Sequence, residues 1–419
     1  MLQINTYELC QLLGADCTNI DNIHCNGVGT DTRENLEGQL FVALSGENFN
    51  GADFIDDAQR SGAVAAITNK PVDSDIPILV VDDTLAALTQ LAQHHLSTIK
   101  PMVIGITGSN GKTTVKNLLF NILNLQAPTL ATRGNLNNHI GVPLTLLELT
   151  EHHQYAIIEM GANHLGEIAH LREIAQPDIA LVTNTGDAHI GEFGGFENLV
   201  KAKGEIYSGH SQNIVNTNTS FVGDLSFGED GDVFASEIDG NQFRLNLNNE
   251  SIQVELQLIG RHNIGNALAA SACAHALGLS LEQIKQGLEV TPAEPGRLAL
   301  IQIGAMRIID DSYNANPESI KAAIKTLGEF AGEKVIILGQ MAELGTDSAQ
   351  LHAEIGKIAQ QHGDAFYSFG DNTEPYQAQH FDSAQALATH LSTHHTQATV
   401  LFKGSRIAKL EQIIAKIAV

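Results

Sequence analysis

The run Gly105-Ile106-Thr107-Gly108-Ser109-Asn110-Gly111-Lys112-Thr113-Thr114 constrains this chain most, because it joins an apolar strand to a helix expected to begin near Val115. A phosphate chain needs N–H groups converging at a helix N-terminus, glycines that admit it to the backbone, a lysine for its terminal oxygens and a hydroxyl for a metal ion. Gly108, Gly111, Lys112 and Thr113 supply these in order, with Ser109, Asn110 and Thr114 completing the loop. The general pattern places its first glycine where Ile106 stands, so this is a shortened loop.

Apolar runs at Met102–Thr107, Tyr155–Met160, Ile179–Asn184 and Ile214–Asn218 alternate with helical stretches, which predicts a mostly parallel sheet wrapped by helices. Before it, Gln39–Leu44 and Ala63–Ile67 read as strands and Thr84–Leu96 as a helix, a small α/β unit closed by a linker at Ser97–Pro101. Between Asp232 and Ile259 short alternating runs with Asn and Gly turns predict an antiparallel ribbon, followed by a helix over Asn263–Leu277. Beyond Pro295 and Gly296, strands at Met306–Ile309, Lys334–Gly339, Ala365–Phe369 and Thr399–Phe402 alternate with helices at Ala349–Gln361 and Ile407–Ile417, a Rossmann-like pattern. The expectation is an α/β chain of three domains: a small N-terminal unit over 1–97, a central nucleotide-binding unit over 98–295 and a C-terminal Rossmann-like unit over 296–419. A chain of 419 residues with 43% hydrophobic content can bury that many cores.

The net charge of −25 argues against nucleic acid as a partner, while a local loop of N–H groups, a lysine and a metal ion still suit a nucleotide. Cys10, Cys17, Cys25 and Cys273 form no CxxC pair and are expected as small buried residues, with neither a zinc site nor a disulfide framework. The opening Met1-Leu2-Gln3-Ile4-Asn5 lacks a basic region, and no apolar run reaches the roughly 18 residues that span a bilayer. A cytoplasmic monomer acting on small molecules is expected.

In open α/β sheets ligands lie beyond the carboxyl ends of strands, so residues just past each strand are the candidates. Glu159 ends one such strand, and Asn184 and His189 follow the next. Mg²⁺ favours a few protein oxygens together with phosphate and water, which makes Thr113 and Glu159 suitable ligands and His189 a less usual one. Taken singly, a carboxylate after a strand more often caps a helix or faces solvent. Lys203 by residue type is an ordinary solvated helix lysine.

Several phrases read together resemble the Mur ligase family: Gly134-Asn135-Leu136-Asn137-Asn138-His139-Ile140-Gly141-Val142-Pro143, Glu159–Ile168, Thr183–Gly191, Gly260–Asn263, Pro295-Gly296-Arg297 and Asp310-Asp311-Ser312-Tyr313-Asn314-Ala315-Asn316-Pro317. The shortened Gly-x-x-Gly-Lys-Thr-Thr loop is also that family's form, and the resemblance covers essentially the whole chain. It implies an ATP- and Mg²⁺-dependent ligase that joins a carboxylate to an amine through an acyl-phosphate. The Asn-Asn-His, Gly-Ala-Asn-His and Tyr-Asn-Ala-Asn-Pro phrases are most similar to the branch that adds D-alanyl-D-alanine to UDP-N-acetylmuramoyl-tripeptide in peptidoglycan synthesis.

By that resemblance Thr113, Glu159 and His189 hold magnesium, and Lys203 carries a carbamate that adds an anionic ligand. Lys112, Asn184, His189 and Lys203 serve the chemistry, and Asn263, Asn266, Arg297, Asp311, Asn314 and Asn316 lie near the nucleotide. Asp31-Thr32-Arg33 and Ser45-Gly46 match the uridine-sugar phrases, Asn135, Asn137, Asn138 and His139 a further substrate phrase, and Lys403-Gly404-Ser405-Arg406 the C-terminal one. The chain departs from the pattern at Ala52, where the family often has histidine, and at Gln340, where it usually has aspartate. Alternatives are a diamino-acid-adding or folylpolyglutamate-type ligase, or a non-catalytic nucleotide-binding scaffold. The absence of an Asp-Asn-Pro-Arg phrase argues against the diamino-acid type, and the intact loop against a scaffold.

Overall fold

The computed structural model describes residues 1–15, 21–46, 49–186, 193–342 and 344–417. It divides into two compact units, one of Met1–Ile106, Leu123–Gly161 and Glu167–Ala180, the other of Thr107–Ile122, Ala162–Gly166 and Leu181–Val419.

In the first unit four parallel strands, Val28–Gly29, Leu40–Val42, Ala65–Thr68 and Ile78–Val80, lie side by side in chain order. Phe41, Ala43 and Ala66 bury one face against Leu36, Ile55 and Ala58. Asp83 caps the helix Thr84–Ile99 by accepting from the N–H groups of Leu85 and Ala86. That helix runs through most of the expected linker and stops only at Lys100, whose positive φ precedes Pro101. Next come the parallel strands Thr129–Ala131, Tyr155–Glu159 and Met102–Thr107, adjacent in that order. The strand Ile179–Val182 starts beside Met102–Thr107, because Asp178 gives its N–H to the Val103 carbonyl and takes the Val103 N–H on its carboxylate, both at 2.8 Å.

In the second unit the loop helix, Lys112–Asn124, begins three residues before the expected Val115, since Gly111 at φ +81° turns the chain straight into it. Tyr207 ties two strand segments together: its hydroxyl donates to Ile214 O (2.6 Å) and accepts from the Val182 N–H (3.0 Å). The ribbon forms as expected from Val233–Asp239, Gln242–Leu247 and Glu250–Glu255, all antiparallel. Helix Arg261–Ala276 is alanine-rich and buried on most of its surface, which fits a helix laid between layers.

The C-terminal sheet of this unit orders its strands Ala299–Ile303, Met306–Asp311, Thr399–Lys403, Lys334–Leu338, Ala365–Phe369 and Gln379–Phe381. Only the first is antiparallel. Alternate residues of its central strands feed two cores, Val335, Ile337, Val400 and Phe402 on one face and Ile336, Leu338 and Leu401 on the other, as a sheet covered on both sides requires. The last expected helix is shorter than its periodicity suggested: Lys409 takes a positive φ and the helix starts at Glu411.

Cys25 and Cys273 are buried free thiols, and burial pushes them up to about 11 and about 12. Cys10 is disulfide-bonded and half-buried, which corrects its expected place among small buried thiols, and Cys17 lies outside the described residues. Bonding needs only sulfur-bearing carbons brought within about 4 Å, which spacing along the chain does not reveal. Among the described residues no helix is long and apolar enough to cross a membrane.

Candidate active site

The phosphate loop is held from the strand that follows it. The Asn110 N–H donates to Asn184 Oδ1 (3.0 Å), while the Asn110 carbonyl accepts from Thr183 Oγ1 (2.6 Å) and Asn184 Nδ2 (3.0 Å). The Ser109 N–H donates to Asn184 O at 3.1 Å and its hydroxyl to Gly186 O at 2.8 Å. Two glycines are demanded by what surrounds them. At Gly108, φ +142°, a Cβ would lie 2.0 Å from Thr183 Oγ1, and at Gly111 one would lie 2.3 Å from Asn266 Oδ1.

With the loop so fixed, Lys112 folds back over it, its Nζ donating to the carbonyls of Gly108 (2.7 Å) and Ser109 (3.3 Å). An ammonium there can exchange carbonyl oxygens for phosphate oxygens with little movement. Asn266 Nδ2 donates to Asn263 Oδ1 (2.9 Å), and Asn263 Nδ2 to Ile259 O (2.8 Å), so both asparagines are buried and oriented. Thr114 is half-buried, and Thr113 is buried with its hydroxyl accepting from Arg297 Nη2 at 3.0 Å. Arg297 is itself placed by Glu294 (3.3 Å) and by stacking over Tyr313, 4.1 Å from the ring centre.

From the C-terminal stretch of the same unit, Asn316 caps helix Pro317–Gly328, and its Nδ2 reaches Asn110 Oδ1 at 2.8 Å. Asp311 pairs with buried Lys403 at 2.5 Å, and Lys403 also donates to Asn314 O at 2.9 Å. Asn314 turns its own Oδ1 onto the Ala315 N–H. Ser405 Oγ accepts from the Ala342 N–H, and Gln340 Oε1 from Asn372 Nδ2 at 2.9 Å. Lys203 is not the solvated lysine its residue type suggested: it is 3% exposed, with Nζ 3.3 Å from Ala162 O and 5.1 Å from the centre of the Phe193 ring. Helix Phe196–Gly204 buries that face alongside Leu199 and Ala202. His189 lies outside the described residues.

In the first unit Glu159 is 3% exposed at its strand end. Its Oε1 accepts from Asn137 Nδ2 (2.9 Å), its N–H donates to Thr132 Oγ1 (2.9 Å), and Asn137 O receives the Gly161 N–H (2.8 Å). Asn137 therefore supports the carboxylate, whereas Asn135 and His139 are exposed and Asn138 accepts the N–H groups of Ile140 and Gly141. Arg33 grips Asp31 and holds its carboxyl at about 2, mainly through the side-chain hydrogen bond. Thr32 O accepts from Ser61 Oγ at 2.7 Å. Ser45 Oγ reaches Asn50 Oδ1 at 3.2 Å, and Gly46 packs against the Phe49 ring. Asn50 Oδ1 also caps the Ala52 N–H at 3.0 Å, in the segment that departs from the family pattern.

Sequence reasoning missed Thr183, Glu294, Glu318 and Lys116. The first holds the loop, the next two position neighbours, and Lys116 is a lysine buried on the loop helix at 3% exposure. Lys116 could have been flagged by its place one turn past Lys112 on an otherwise apolar helix face.

A glycine-turned phosphate loop fixed at a strand end, with a lysine folded on it and the buried Thr113 hydroxyl beside it, fits a nucleotide-binding α/β enzyme. Family profiles resolve the class: the Mur ligase catalytic domain matches residues 24–95, the Mur ligase middle domain 106–274 and the Mur ligase glutamate ligase domain 296–417. UDP-N-acetylmuramoyl-tripeptide–D-alanyl-D-alanine ligase of Escherichia coli is 39% identical, over 99% of this chain and 98% of its own length. The MurF crystal structure from Acinetobacter baumannii superposes with a TM-score of 0.93 at 39% identity, covering 100% of this chain and 99% of that one. MurF from Thermotoga maritima in complex with ADP gives 0.85 at 31% identity, covering 94% and 97%. The chain belongs to the Mur ligase family and has its three-domain α/β architecture.

Proposed function

We propose that this protein adds D-alanyl-D-alanine to UDP-N-acetylmuramoyl-tripeptide at the expense of ATP, completing the UDP-N-acetylmuramoyl-pentapeptide precursor of peptidoglycan. The observation that carries the reading is the full-length 39% identity with a ligase of that name. The fixed loop and Lys112 supply the chemistry it needs.

The terminal carboxylate oxygen of the tripeptide attacks the γ-phosphorus of ATP, the bond to the bridging oxygen breaks, and ADP leaves. The acyl-phosphate carbonyl is then attacked by the dipeptide amine, and the tetrahedral adduct expels phosphate while the nitrogen loses its proton. Lys112 neutralises charge spreading over the transferred phosphoryl group, and the loop N–H groups fix its position, so positioning and electrostatics carry the rate. Asn184 keeps that loop in register, and Asn263, Asn266, Arg297, Asp311, Asn314 and Asn316 frame the nucleotide.

Thr113 and Glu159 have the oxygen chemistry that magnesium prefers and are the residues that would hold it, with His189 assigned by resemblance alone. The ion would withdraw charge from the phosphate oxygens. Lys203 is the residue for a carbamate, formed when its Nζ gives up the ammonium proton, adds to CO₂ and releases a second proton to solvent, and bicarbonate-dependent activity with a ¹³C carbamate resonance lost in Lys203→Ala tests it. Asp31, Thr32, Arg33, Ser45, Gly46, Asn135, Asn138 and His139 serve the UDP-sugar peptide, with Asn137 acting through Glu159. Domain limits at 1–97, 98–295 and 296–419 fit this division of labour, as do a cytoplasmic location and a monomeric state. Phosphate release that requires tripeptide and dipeptide together supports the reading. Release with a free diamino acid or glutamate as acceptor would transfer the chain to another branch of the family, and no release would leave a scaffold.

A further inference from the structure

Asn110 has every polar atom engaged. Its backbone is held by Thr183 and Asn184, and its side chain by the beginning of helix Pro317–Gly328: Oδ1 accepts from Asn316 Nδ2 at 2.8 Å, and Nδ2 donates to Glu318 Oε2 at 3.1 Å. The space for that carboxylate is made by a glycine. A Cβ on Gly186 would sit 1.8 Å from Glu318 Oε2, and Gly186 is itself fixed through its carbonyl to Ser109 Oγ.

We propose that Glu318 is a positioning residue for the nucleotide, acting through Asn110 to set the peptides from which the Gly111 and Lys112 N–H groups project. The inference rests on the reading of the loop as the ATP site. Asn110 immediately precedes those two residues and is anchored twice, its backbone by Thr183 and Asn184 and its side chain by Asn316 and Glu318, so loss of the Glu318 bond loosens one of the two anchors on the peptides that carry the phosphate donors. A carboxylate acceptor makes the hydrogen bond charge-assisted and therefore directional. Gly186 supplies the shape complement, since any larger residue would drive the carboxylate off Asn110. Asn316 holds one end of the planar amide and Glu318 the other, so the two together fix its plane, and loss of Glu318 leaves a single bond to do so.

The test uses the full chain, with steady-state turnover titrated separately in ATP, sugar-tripeptide and dipeptide, fluorescent ADP titration and thermal melting. Glu318→Ala should raise the ATP KM and the ADP dissociation constant together by roughly five- to twentyfold. The other two KM values and the melting temperature should stay near wild type. Glu318→Gln keeps an acceptor oxygen and should recover ATP KM to within about twofold, while Gly186→Ala should reproduce Glu318→Ala. Unchanged nucleotide constants in Glu318→Ala would overturn the proposal, as would a loss shared equally by all three substrates and accompanied by lower melting. Absence of ADP binding by the wild type would instead overturn the ATP-site reading itself.

Discussion

Replacing Gly111 by alanine tests the loop where its geometry is tightest. The residue sits at φ +81°, and a Cβ would come 2.3 Å from Asn266 Oδ1. Left-handed backbone costs an L-residue about 1–2 kcal/mol. Driving a buried, hydrogen-bonded asparagine aside adds overpacking of about 1–3 kcal/mol. The empty loop can relax away from both penalties, but a bound phosphate forces it back, so the cost falls on binding. Together they amount to about 2–5 kcal/mol, a weakening of ADP by at least roughly thirtyfold in calorimetric titration. Shortening the obstacle in Gly111→Ala/Asn266→Ala should relieve the steric share while retaining the backbone share, so the double variant should bind less weakly than the product of the single effects. Gly111→Ala with an ADP affinity within threefold of wild type would refute the reasoning, and strict additivity would refute its division into two parts.

Lys112→Ala should abolish ATP turnover, a loss of about a thousandfold or more, because it removes the ammonium that lies over the phosphate loop on the carbonyls of Gly108 and Ser109, and a steady-state phosphate-release assay measures it. Arg297→Lys should lower kcat/KM for ATP by roughly ten- to a hundredfold, since a lysine cannot reach Thr113, pair with Glu294 and stack on Tyr313 at once. His352 accepts the Met341 N–H on Nε2 and donates from Nδ1 to Ser348 O, and burial holds its pKa below the usual value. Its stabilising contribution is therefore complete above about pH 6.5 and is lost as pH falls through the lowered folded value. Melting of wild type should decline more steeply than that of His352→Gln between about pH 7 and pH 5, and parallel profiles would contradict this. Cys273, pushed up to about 12 by burial, should resist alkylation near neutral pH until the protein unfolds.

Much of this was legible in the sequence. The loop residues announced themselves because glycine placement, lysine and hydroxyl must fall at fixed offsets, and the strand Met102–Thr107 emerged with the bounds its apolar run implied. Glu159 was found by its place at a strand end, a rule of sheet topology. Lys203 could not be placed by type, because only packing of helix Phe196–Gly204 decides whether its side chain is solvated. The pairings of Asn110 with Asn316 and Glu318 join residues about two hundred positions apart, and no local pattern encodes such a meeting. The Ser97–Pro101 segment read as a linker because proline interrupts the periodicity, yet Lys100 absorbs the turn and the helix keeps its last residues.

The central claim is that an acid is activated as its phosphoric anhydride before an amine displaces phosphate. Supplying UDP-N-acetylmuramoyl-tripeptide with ¹⁸O in its terminal carboxylate, together with ATP, Mg²⁺ and D-alanyl-D-alanine, measures this directly by mass spectrometry of the products. The account predicts one ¹⁸O in each inorganic phosphate released and the other in the new amide carbonyl. Unlabelled phosphate alongside pentapeptide formation would contradict it.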